Sequence, residues 1–303
     1  MLDVFFNVVL PTFLVVTVAT LFQRWKRLPI ATLSQTTFYV LSPALAYSVM
    51  IKSSISADNS LKIIGSTILA MALISILSLS VTLLFRHSRS MRSAFLLSTL
   101  FPNGGNMALP VVLLALGPEG LSIAMVIFVT HVVLGWSLGT FVASRSEGKG
   151  LSPILQVVKV PAIYGVFAAL GTRIIGWELP IALAQPIDLL ATAAIPTMLL
   201  VLGFQLGNGI SLRDLPSLGA TTMLRLVAAP PLGYLATILV GLEGLPQQAV
   251  IIVASMPTGV FTIILGTQFK TNPGFVTNAV VVSTLLSMVS LTIVVTLVKS
   301  LLA

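Results

Sequence analysis

Hydrophobic positions along this chain run on continuously, ten times over, with short polar or charged clusters between the runs. The runs lie near 4–23, 34–51, 62–85, 93–116, 121–143, 153–174, 186–207, 215–240, 246–269 and 274–299. About 20 such residues in a helix cross a hydrocarbon core of about 30 Å. Continuous apolarity predicts helices and not barrel strands, which alternate and are only about 10 residues long. Two runs carry a break of their own: FPNGGNMALP at 101–110 in the fourth, and SMPTGV at 255–260 in the ninth.

Composition agrees with the pattern. Hydrophobic residues make up 56% of the 303 and charged residues 8%, with a mean hydropathy of +1.08. A soluble domain carries roughly a quarter charged residues, so this chain lacks the polar surface for one. An integral, all-α membrane protein is expected, with no soluble domain.

The net charge of +8 has a topological meaning. With the N-terminus outside, the inward loops hold Arg24, Lys26, Arg27, Arg86, Arg89, Arg92, Arg145, Lys149, Lys159, Arg213, Arg225 and Lys270, twelve of the 16 cations. The outward side holds Lys52, Lys62, Arg173 and Lys299 with most of the acids. That alternation follows the positive-inside rule, so both termini are expected outside and no nucleic-acid partner is implied. Cysteine is absent, which removes disulfides and thiolate metal sites. The run at 4–23 lacks a basic start and a small-residue cleavage site, and reads as a retained first helix, not a signal peptide.

The prolines reveal a repeat. Pro11, Pro43 and Pro102 recur as Pro161, Pro196 and Pro257, at offsets of 150, 153 and 155, and LPTFLVV, LSPALAYSVM and LFPNGG align with VPAIYGV, AIPTMLLVLG and SMPTGV. Five helices per half, 1–150 and 151–303, make the second copy enter from the opposite side. Two inverted five-helix repeats are the architecture of secondary transporters, with the substrate at the repeat interface near the midplane.

A broken helix survives in a bilayer only where protein or a wet cavity satisfies its freed backbone groups. Pro102 removes a donor, and Gly104-Gly105 loosen the following turn. The half-helix that begins near Asn106 offers free N–H groups and a positive dipole end, a natural anion seat. Asn103 and Asn106 add neutral donors and acceptors. Ser255, Pro257, Thr258 and Gly259 repeat the arrangement in the ninth run. The expected substrate pocket therefore comprises Pro102, Asn103, Gly104, Gly105 and Asn106 with Pro257, Thr258 and Gly259. The plainer alternative is a proline kink whose asparagines bond neighbouring helices.

PNGGNMALP resembles the fourth-helix motif of the auxin efflux carrier family, and MPTGVFTIILGTQFKTNPGFVTNAVVVSTLL is similar to that family's ninth and tenth helices. The likeness covers essentially the whole chain. It implies crossover helices four and nine meeting at the substrate, a scaffold of helices 1, 2, 6 and 7, and a transport unit of helices 3–5 and 8–10 that carries the crossover past it as an elevator. It also implies a small carboxylate cargo, auxin-like as in the PIN-type plant members or malonate-like as in bacterial relatives, and a possible homodimer. Asn103 matches the family's substrate-contacting asparagine, and Pro102 and Pro257 its crossover prolines. Thr258 stands where plant carriers commonly have glutamine, and Ala108 where the motif has glycine. The long hydrophilic loop of plant members is missing.

Other polar residues inside the runs have two readings each. His131 either titrates and couples transport to protons or bonds an adjacent helix as a neutral imidazole. Tyr47 either lines the cavity or bonds backbone. Asp188 reads as an interfacial charge, Gln205 and Asn208 as caps of the seventh helix, and Asn272 as turn chemistry. No buried cation is expected at the site, so an anion would rest on amides and helix ends alone. Nucleophile, metal, phosphate-loop and dinucleotide signatures are absent, so neither an enzyme nor a cofactor is expected. The expected function is secondary transport of a small organic anion across the cell membrane. A sodium-coupled symporter of the bile-acid type and a non-transporting membrane sensor are the alternatives.

Overall fold

The computed structural model describes residues 1–144, 160–207 and 214–302, and these are helical almost throughout. In chain order they form α1 (Leu2–Lys26), α2 (30–51), α3 (Ala57–Leu84), α4 (Arg89–Leu100), α5 (Ala108–Ala143), α6 (Pro161–Ile175), α7 (Ile181–Leu206), α8 (Leu215–Val240), α9 (Gly244–Ala254), α10 (Phe261–Gln268) and α11 (Pro273–Leu301). Helical residues follow the predicted runs to within five residues at their edges, apart from residues 153–159 of the sixth run and Asn208, which lie outside the described residues. Among the described residues, six helices are long and apolar enough to cross a bilayer: α1, α3, α5, α7, α8 and α11. Helices α6 and α9 are apolar but shorter. The protein is a multi-pass, all-helical membrane protein.

Three prolines within the helices are accommodated by one recurring device. A proline cannot donate to the carbonyl four residues back, and its ring crowds that carbonyl. In α1, α2 and α8 the turn just before Pro11, Pro43 and Pro230 widens to π geometry, over Phe5–Val9, Thr37–Leu41 and Leu224–Ala228. Hydroxyls satisfy nearby carbonyls: Thr12 donates to Val8 O at 2.9 Å and Ser42 to Phe38 O at 2.7 Å. Such local repair is what allows proline in a membrane helix.

Helix ends are closed by side chains. Ser56 and Ser88 accept from Asn59 and Met91 N–H at the starts of α3 and α4. Asn272, at φ 41°, accepts from Phe275 N–H at the start of α11, the turn chemistry expected of it. At the end of α1, Gln23 both donates to and accepts from the Leu28 backbone.

The helices sort into two packed sets. In one, α2 lies along α6 and α7, and α1 along α7. Backbones touch there: a Cβ on Gly165 would meet Pro43 O at 2.3 Å, and one on Gly203 would meet Val16 O at 2.4 Å. Small residues allow this approach, and dispersion between close backbones replaces the hydrophobic drive that lipid does not supply. In the other set α3 packs on α4, α5 and α8, α9 on α5 and α8, and α11 on α4 and α10. Leucines, isoleucines and aromatics on α3, α6 and α7 stay exposed around the outside, as lipid-facing positions do.

Candidate functional site at the helix crossover

Both breaks fall in the second set and meet each other. Between α4 and α5, and between α9 and α10, the backbone is extended for a few residues, and Pro102 lies antiparallel to Thr258. Asn103 N–H donates to Pro257 O at 2.7 Å, and Gly259 N–H to Phe101 O at 2.8 Å. Each interruption thereby satisfies backbone groups that the other leaves free, which the absence of water in a bilayer demands. Thr258 locks the crossing from the side: its hydroxyl donates to Ser98 O at 2.8 Å, and its N–H to Ser283 Oγ at 3.0 Å. Beyond the break, α5 runs to a kink at Gly117 (φ 73°) and turns back toward the crossing.

The expected site residues divide into two groups. Pro102, Asn103, Gly104, Gly105, Asn106, Gly259 and His131 line one cavity of about 400 Å³. Pro257 and Thr258 are not on its wall; they form the bridge behind it, and Thr258 is fully buried. The rest of the wall comes from the other helix set and from aromatics: Ser34, Phe38 and Ser42 of α2, Gln205 of α7, Phe128 and Trp136 of α5, and Phe261 of α10. The cavity therefore separates the two sets, with the crossing on one side and α2 and α7 on the other.

Four buried polar atoms of this wall have no hydrogen-bond partner among the described residues: Asn103 Nδ2, His131 Nδ1, Gln205 Oε1 and Ser34 Oγ. Leaving such a group unpaired costs about 1–3 kcal/mol each, and four of the ten such atoms among the described residues belong to residues of this wall. Asn103 can donate, Gln205 can accept, and Ser34 can do both. A Cβ on Gly104 would lie 3.4 Å from His131 Nδ1, so the Gly-Gly turn is what lets the imidazole approach the break. A larger depression of about 590 Å³ at the end of α1, lined in part by Gln23, Arg24 and Arg27, offers nothing comparable, since the Gln23 amide is already satisfied.

Arg225 overturns two expectations. It is no loop residue: it sits on the widened turn of α8, 2% exposed. Nor does the crossing lack a cation, because its guanidinium reaches the C-terminal ends of both broken helices. Nη1 donates to Thr99 O at 2.8 Å, and Nη2 to Ala254 O at 2.6 Å and Met256 O at 2.9 Å. A fixed positive charge thus faces the negative ends of two helix dipoles. Its position ten residues into the apolar run 215–240 was the available signal, since an arginine in mid-span is a functional candidate by default. Counting cations by loop concealed it.

The remaining polar residues stay away from the cavity. Tyr47 Oη donates to Thr172 Oγ1 at 3.3 Å between α2 and α6, a side-chain partner, where lining the cavity or bonding backbone had been the two readings. Asp188 pairs with Lys52 at 2.9 Å and accepts from Ser48 at an end of the first set. No group of three or more His, Cys, Asp or Glu suited to a metal occurs among the described residues.

Residues 151–295 match the family model described as membrane transport protein. The transporter match includes both the second break and Arg225. Relatives extend the likeness over both halves. The chain is 25% identical over 274 residues to a protein of Rhizobium meliloti named "Putative malonate transporter", covering 86% of this chain and 85% of that one. It is 24% identical over 266 residues to an uncharacterized transporter of Methanothermobacter thermautotrophicus, covering 86% of each. An uncharacterized transporter of Methanocaldococcus jannaschii is 22% identical over 209 residues, 68% of each chain. These matches are to membrane transporters, not enzymes, and they agree with the resemblance first read from PNGGNMALP.

Proposed function

We propose that the protein is a secondary carrier for a small organic anion, which binds in the 400 Å³ cavity and crosses the membrane by alternating access. The observation that carries this reading is a cavity floored by two crossed helix breaks, whose wall residues Asn103, His131, Gln205 and Ser34 each hold a buried polar atom with no partner among the described residues. A carboxylate there accepts from the Asn103 amide, close to the first turns of α5 and α10 and their positive dipole ends. An aromatic wall then holds its apolar part.

On this reading the chain crosses the bilayer ten times. Helices α4 with the first arm of α5, and α9 with α10, form the broken fourth and ninth crossings, and the halves are inverted repeats. Helices α1, α2, α6 and α7 are the scaffold; the remainder moves as one body, an elevator. Positive-inside topology puts the end of α1, with Arg24 and Lys26, in the cytoplasm and both termini outside. Ser34, in the first turns of α2, and Gln205, at the end of α7, make the cavity reach that cytoplasmic end, so the described conformation is inward-facing. Malonate, by the name of the Rhizobium relative, is one cargo to test, alongside monocarboxylates.

Counterflow in proteoliposomes tests the proposal. Labelled carboxylate is expected to accumulate against unlabelled carboxylate, with equal rates in sodium and in choline. Strict sodium dependence would favour the bile-acid type of symport, and no counterflow with any of a broad mono- and dicarboxylate panel would favour a sensor.

A further inference from the structure

We infer that Arg225 is a tethered cation occupying the carbonyl cage in which an ion-coupled carrier would hold its exchangeable metal ion. Unwound carbonyls and the C-terminal ends of half-helices are where transporters of broken-helix design coordinate sodium. Here those oxygens are Thr99 O, Ala254 O and Met256 O, and one guanidinium bonds all three at 2.6–2.9 Å, with Nε adding a contact to Met256 O at 3.3 Å. A guanidinium stays protonated and cannot leave, so the cage is permanently filled.

Among the described residues the charge forms no ion pair with a carboxylate. Segments 59–118, 215–242 and 244–303, which contain the crossing and most of the helices packed around it, hold no aspartate or glutamate. The one carboxylate at the entry to the second arm of α5, Glu119, lies just beyond the Gly117 kink, two residues past the far end of the arm that starts at the crossing. Among the described residues the positive charge is therefore met by helix-end dipoles, as a bound metal ion's would be. The widened turn of α8 carries this side chain, so the device that accommodates Pro230 also houses the cation.

Calling the cage a coupling-ion position rests on the carrier reading; its occupation does not, and the test needs no substrate. Thermal unfolding of the purified full-length protein is measured in sodium, lithium, potassium and choline chlorides. The wild type is expected to show one Tm in all four; sodium- or lithium-specific stabilisation would overturn the inference. Arg225→Ala is expected to lower Tm by about 10 °C and to recover part of the loss in low-millimolar methylguanidinium. An undiminished Tm would overturn it. Should the alanine variant not fold, Arg225→Lys keeps the charge with fewer bonds. It is expected to fold with a reduced Tm and no sodium response; a sodium-specific rise in its Tm would count against the inference. Either way the result is independent of whether counterflow is observed.

Discussion

At the residue scale, the crossing depends on atoms that are small or fully bonded. Gly259 shows this most sharply: a Cβ there would lie 2.7 Å from Pro102 O and 3.2 Å from Phe101 O, inside the antiparallel bridge. Gly259→Ala should therefore cost about 1–3 kcal/mol through overpacking, read as a lower Tm. Transport should fall further than stability, because the bridge sets the cavity floor. Gly105→Ala meets only the Phe128 ring, at 2.9 Å, and a ring can swing aside. It should be the milder change, and equal losses in the two variants would contradict a special role for the bridge. Asn103, Gly104, Gly105 and Asn106 stood out together because amides and glycines are unusual in an apolar run, while a plain proline kink stayed the alternative and His131 was read separately, with two roles open. Gln205 was also visible but read as a cap, since one sequence does not say which face of a helix looks onto a cavity. The side-by-side contact of Tyr47 with Thr172, 125 positions apart, had no signal at all.

At the element scale, the sequence located helices well because apolarity and length are nearly sufficient in a bilayer. Their internal irregularities were only half legible. Pro102 and Pro257, flanked by glycine and hydroxyl residues, could be read as true breaks. Pro11 and Pro43 bring only a widened turn with a hydroxyl bonded to a nearby carbonyl, and Pro230 a widened turn. The difference lies in what surrounds each proline in three dimensions, not in the proline. Arg225 belongs here too: its role follows from α4 and α9 ending at the same point, a fact of packing that no local pattern encodes.

At the scale of the molecule, two helix sets face each other across the cavity, and the carrier reading requires them to move relative to one another. The native chain has no cysteine, so introduced pairs can be bridged without background. A bifunctional maleimide joining Ser34→Cys on α2 to Ile264→Cys on α10, both on the cavity wall, should abolish transport. The same reagent joining Lys52→Cys to Asp188→Cys, whose native side chains pair within one set, should leave transport largely intact. Equal transport in both bridged proteins would mean the sets do not move apart. The claim beneath all of this is that an anion binds at the crossing through Asn103, and direct binding to purified protein tests it. With a carboxylate first shown to be transported, Asn103→Ala should bind about 10- to 100-fold more weakly while keeping the wild-type Tm to within a few degrees. Unchanged affinity in a folded Asn103→Ala protein would contradict the account.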